Sequence, residues 1–105
     1  QRPPPAAAPT DTHLALTGPT THVATGTNHR HLLCDTAAGP IFILLPTPAN
    51  GAVLVVTDIG GVAGVNAITL NGGGASINGA PTLILNTAYA THRLLAYGGN
   101  WYLTA

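Results

Sequence analysis

Gly39-Pro40-Ile41-Phe42-Ile43-Leu44-Leu45-Pro46-Thr47-Pro48-Ala49-Asn50-Gly51-Ala52-Val53-Leu54-Val55-Val56-Thr57-Asp58-Ile59-Gly60-Gly61 decides the fold class. Two short runs, 41–45 and 52–58, are rich in Ile, Leu and Val and are bounded by Gly, Pro and Asn. That is strand patterning. Pro46 and Pro48 end the first run, because neither can donate to a ladder. Asn50-Gly51 is a hairpin-type turn signal between the two. Both runs are apolar at successive positions, as expected of strands covered on both sides in a sandwich interior or a subunit interface.

The same punctuation extends in both directions. Strands are expected at 13–17, 22–25, 31–35, 41–45, 52–58, 67–71, 76–78, 82–85, 91–97 and 101–104. Gly60-Gly61, Gly72-Gly73-Gly74 and Gly98-Gly99-Asn100 supply the breaks. No window repeats apolar residues at helical spacing over three turns. Upstream, Pro3-Pro4-Pro5, Ala6-Ala7-Ala8 and Pro9 predict an extended arm, since proline fixes φ and lacks a donor; a disordered tail is the alternative the composition equally allows. The expected organisation is an arm over 1–12 and one all-β module over 13–105. No internal repeat of fixed period stands out, which favours a compact β-sandwich or an intertwined β-prism over a solenoid.

Charge narrows the partners. Only 6% of the residues are charged, against roughly 25% in an ordinary globular chain. Lys and Glu are absent; the inventory is Arg2, Arg30, Arg93, Asp11, Asp35 and Asp58, with zero net charge. A small domain exposes much of its surface, so such a chain is expected to cover itself with copies of itself. No basic patch is present to neutralise phosphates, so nucleic acid is not an expected partner. No apolar run approaches the ~20 residues that span a membrane, and no secretory leader pattern opens the chain. The first residue is Gln rather than Met, as expected of a processed or trimmed terminus.

Few residues offer chemistry. Paired carboxylates for glycosidic cleavage would have to come from Asp11, Asp35 and Asp58. Asp35 and Asp58 each close an apolar strand before a turn, where Asp ordinarily accepts backbone hydrogen bonds. Cys34 lies in Leu32-Leu33-Cys34, the setting of a buried, inert thiol. His29-Arg30-His31 puts two imidazoles on one strand face, a weak metal signal. His13, His22 and His92 alternate with apolar neighbours as ordinary sheet-face residues. Tyr89, Tyr97, Trp101 and Tyr102 suit sugar stacking, but packing of Trp101 and Tyr97 against the core or an interface is the stronger reading. Gly72-Gly73-Gly74 lacks the Lys-Ser/Thr of a phosphate loop. The expectation is therefore no catalytic, cofactor-binding or metal-binding residue, and no enzymatic activity.

One resemblance covers most of the chain. Leu32-Leu33-Cys34-Asp35-Thr36, Gly39-Pro40-Ile41-Phe42-Ile43-Leu44-Leu45-Pro46 and Val55-Val56-Thr57-Asp58-Ile59-Gly60-Gly61 resemble a module of tailed-phage tail-fibre, tailspike and head-decoration proteins. The likeness continues through Asn66-Ala67-Ile68-Thr69-Leu70, Gly74, Ile77-Asn78-Gly79-Ala80, Tyr89-Ala90 and Gly98-Gly99-Asn100-Trp101-Tyr102. It implies a β-structure that associates around a three-fold axis and carries no catalytic residues. Thr57 and Tyr97 stand where such modules carry a basic and an acidic residue, so this copy is expected to be more enclosed. The implied function is a trimeric capsid decoration or cement protein on the virion surface, contacting itself and the major capsid or other virion proteins. The alternatives are a tail-fibre or tailspike segment touching host glycan through Tyr97, Trp101 or Tyr102, and a secreted adhesin or carbohydrate-binding domain.

Overall fold

A computed structural model describes residues 13–24 and 31–104. The expected arm over 1–12 and the paired His29 lie outside these residues. All regular structure among the described residues is β. Nine strands run β1 His13–Thr17, β2 Thr20–Val23, β3 His31–Asp35, β4 Ile41–Leu44, β5 Val53–Asp58, β6 Ile68–Asn71, β7 Thr82–Leu85, β8 Thr91–Tyr97 and β9 Asn100–Leu103. Sheet A has the order β1-β3-β5-β8-β9, and sheet B the order β2-β4-β6-β7. Within each, the first three strands are parallel and the later ones antiparallel.

The chain therefore alternates between sheets through its first six strands, laying each new coil beside the last. Parallel neighbours need a crossover connection. Here each crossover is a strand of the opposite sheet instead of a helix. The two sheets face each other across one core as a β-sandwich, as expected, and the first six strands wind through it as successive coils. The coils differ in length: His13 pairs with His31, eighteen residues on, and His31 with Val55, twenty-four on. Thr20 pairs with Ile41 and Ile41 with Ile68, offsets of twenty-one and twenty-seven. Insertions at the corners, not in the strands, erase the period.

The Asn50-Gly51 expectation needs a related correction. A turn forms there, but β4 and β5 belong to different sheets and do not pair. The proline-bearing link after β4 carries the chain across the core instead. Asn50 turns outward to accept a hydrogen bond from the Gly98 amide at 2.7 Å. The tight hairpin is Gly98-Gly99 between β8 and β9, with both φ angles positive, the conformation of a two-residue turn. The expected strand at 76–78 reduces to single bridges from Ile77 to Ala80 and Trp101.

Alternation places the core. Every second residue of β3, β4 and β5 is buried, so Leu32, Cys34, Leu54 and Val56 of sheet A face Ile41 and Ile43 of sheet B. Parallel register stacks like on like: Ile41 lies beside Ile68, and Ile43 beside Leu70. Each such side chain contributes about 1.5–3 kcal/mol through removal from water. Trp101 closes one end, buried against Ile77, with its indole N–H donating to the Pro46 carbonyl at 3.3 Å. At the corner between the sheets, Gly18-Pro19 stacks on Gly39-Pro40. The Gly18 amide donates to the Asp35 carbonyl at 3.0 Å, and a Cβ on Gly18 would run into the Gly39 carbonyl. Only glycine lets the two corners approach so closely.

Candidate functional site

Asp58 is the most elaborately bound polar group among the described residues. It ends β5 on the inner face, 2% exposed. Its Oδ1 accepts from the Thr36 hydroxyl at 2.7 Å and from the Gly60 and Gly61 amides at 3.1 Å each. Oδ2 accepts from the Ala63 and Tyr89 amides, both at 3.2 Å. Thr36 relays the network, accepting from the Val62 amide at 3.0 Å, while its carbonyl accepts from the Asn66 side-chain amide at 2.8 Å. Burial alone would raise the Asp58 pKa. The bonds from Thr36, Tyr89, Ala63 and Gly61 outweigh it and hold the carboxyl below its ordinary 3.8.

This arrangement fixes three chain segments and offers nothing to a substrate. With five donors on two oxygens, the carboxylate has no open lone pair aimed at solvent. Asp35 sits on β3 next to the strand position paired with Asp58, but its side chain takes the outer face and caps the Ala37 amide at 3.0 Å. The two side chains leave their strands on opposite faces but both reach Gly60, and each carboxylate is taken up by backbone amides. Asp11 is outside the described residues. Cys34, in register with Asp58, is fully buried, and desolvation followed by the nearby Asp58 charge pushes its thiol up to about 12. It is a core residue without nucleophilic character at neutral pH.

The remaining candidates separate by face. Trp101 is in the core, which removes it from any sugar platform, whereas Tyr97 and Tyr102 are exposed on the outer side of sheet A. Tyr97 therefore does not close the core of the single chain. Tyr89 is exposed in the turn before β8, held at positive φ where its amide reaches Asp58. His92 points inward from β8, and its Nε2 is buried without a hydrogen-bond partner among the described residues. His13 and His31 share the outer face of sheet A. The Gly72-Gly73-Gly74 segment is a turn held by Asn71, whose side chain accepts from the Gly73 amide at 2.8 Å, with no helix to follow.

The outer face of sheet B is the feature that alternation left out of account. Phe42 and Leu44 occupy the positions between the buried Ile41 and Ile43, so the apolar run of β4 is covered on one side only. Register aligns Thr21, Phe42, Thr69 and Ile84 in one row, and Val23, Leu44, Asn71 and Thr82 in the next. Val23, Phe42 and Ile84 are 60%, 50% and 58% exposed. A shallow depression between the rows is walled by Phe42, Leu44 and the threonines. No ionisable residue stands in either row. By contrast, His13, His31, Asp35 and Arg93 all lie on the outer face of sheet A.

Comparison with known proteins adds no relative: no protein-family model matches the chain, and no curated protein matches it.

Proposed function

We propose that the chain is a non-enzymatic structural module of a tailed-phage particle, assembling with copies of itself, as a trimer, to decorate or cement the virion surface. The observation that carries self-association is the bare face of sheet B, where Val23, Phe42, Leu44 and Ile84 stand exposed without a charge among them. Burying an uncharged face strands no ion, and each exposed aromatic or aliphatic group it covers adds hydrophobic stabilisation. The phage assignment rests on the sequence resemblance.

A ring draws on more of each chain's surface than a face-to-face pair. Four strands about 4.8 Å apart and four residues long at about 3.3 Å each cover roughly 250 Å². A stable interface takes about 800 Å² from each partner. A two-fold dimer through sheet B alone falls short. A ring contact is heterologous, so each chain contributes two patches. Sheet B of one copy then meets a different surface of the next, for which the half-buried Leu33, Val53, Val55 and Leu95 of sheet A are suited. The surface left outward would meet capsid or other virion proteins.

The test is a charge placed in the bare face. Phe42→Asp and Ile84→Asp should leave the far-ultraviolet spectrum unchanged and reduce the assembly to monomers. Retention of the native assembly by both folded variants would remove sheet B from the interface. A tail-fibre role with glycan contact is favoured by one observation, the outward Tyr97 and Tyr102. Binding to a glycan panel that fails with Tyr97→Ala would select it.

A further inference from the structure

His13 and His31 are directly paired in the parallel ladder between β1 and β3. Both occupy positions that alternate with the inward-facing Leu14, Leu16, Leu32 and Cys34, so both imidazoles project from the outer face of sheet A. Paired residues of neighbouring strands stand about 4.8 Å apart. Imidazole nitrogens bind a metal at about 2.0–2.1 Å, which sets two ligands on one ion roughly 3.3 Å apart. A small convergence of two rings covers that difference. β1 is an edge strand, and its next outward residue is Ala15. In the same row, Val55 follows His31, and Arg93 stands beyond it. Its strand is roughly 10 Å from β3 across the sheet, about one Debye length in ordinary salt.

Two imidazoles facing each other gain little from one another, and repel when both are protonated. A shared cation converts that juxtaposition into an attraction. We propose that His13 and His31 form a two-imidazole site for a divalent transition-metal ion of the zinc, nickel or copper class, with water in the remaining positions. The ion staples β1, the outermost strand of the first coil, onto β3. Both ligands belong to one chain, so the site does not rest on the virion reading, although His31 borders the Leu33 and Val55 assigned to the ring contact.

Calorimetric titration of the untagged full chain with zinc chloride or nickel chloride tests it, alongside thermal melts with and without the metal. The expected result is one ion bound per chain and a melting temperature several degrees higher with metal. His13→Ala and His31→Ala should each weaken binding roughly tenfold or more and abolish the shift. His13 is exposed, so its removal leaves the fold intact, which circular dichroism verifies. His22→Ala, on the other sheet, should bind as the parent does. Binding that survives His13→Ala, including the case where only His31→Ala weakens it, would overturn the cross-strand pair. So would a parent chain that binds neither metal.

Discussion

Replacing Asp58 with alanine should be the most damaging single polar change in this domain. The substitution strands five donors: the Thr36 hydroxyl at 2.7 Å, the Gly60 and Gly61 amides at 3.1 Å, and the Ala63 and Tyr89 amides at 3.2 Å. A hydrogen bond to a charged group is worth about 1.5–3 kcal/mol, and a buried donor left unpaired costs a similar amount. These contributions are not additive, and water can reach Gly60 and Gly61, which are only half-buried. Ala63 is fully buried and cannot be rescued so easily. A loss of about 3–5 kcal/mol is expected, the range for opening a buried charged network. For a domain of this size that lowers the melting temperature by roughly 15–30 °C. Asp58→Asn keeps one acceptor oxygen but turns an amide N–H₂ toward backbone N–H groups, so it should fall between parent and Asp58→Ala. Urea unfolding followed by Trp101 fluorescence reads both variants. A stability of Asp58→Ala within about 1 kcal/mol of the parent would refute the idea that this carboxylate ties the corner together.

Further consequences are equally open to measurement. The folded-state pKa of Asp58 lies below its ordinary 3.8, so its contribution is complete above about pH 4 and is lost as pH falls through the folded value. Unfolding free energy should thus decline below pH 4 in the parent and much less in Asp58→Asn. The Cys34 thiol, buried and raised to about 12, should resist a thiol reagent at pH 8 in the folded protein and react within the dead time once urea unfolds it. Gly39→Ala should cost about 1–3 kcal/mol, because its Cβ would press into the Pro19 ring of the stacked corner. Chemical denaturation measures that loss directly.

Strand positions were legible because alternation and Gly/Pro punctuation are local. Strands β1, β3, β7 and β8 fall on the expected ranges, and β2 begins two residues earlier than expected, directly after Pro19. Pairing was not legible. Which strand lies beside which depends on corner insertions that change the offset from coil to coil, and Asn50-Gly51 looks the same in a hairpin and in a crossover. One signal did exist: Gly18-Pro19 and Gly39-Pro40 are twenty-one residues apart, the same offset that separates Thr20 from its partner Ile41. Asp58 was readable as a turn acceptor from its place before Gly60-Gly61. Its ties to Thr36 and Tyr89 were not, since those residues are brought in by other strands. The bare face of sheet B was hidden by its own composition: an apolar run looks doubly covered until the structure leaves Phe42 and Leu44 outside.

Sedimentation equilibrium of the parent chain at low micromolar concentration and physiological salt tests self-association most directly. The account predicts a mass three times the 10.5 kDa of the chain, stable to dilution. A soluble monomer over the same range would contradict it, and would leave the exposed Val23, Phe42 and Ile84 to be explained by another partner.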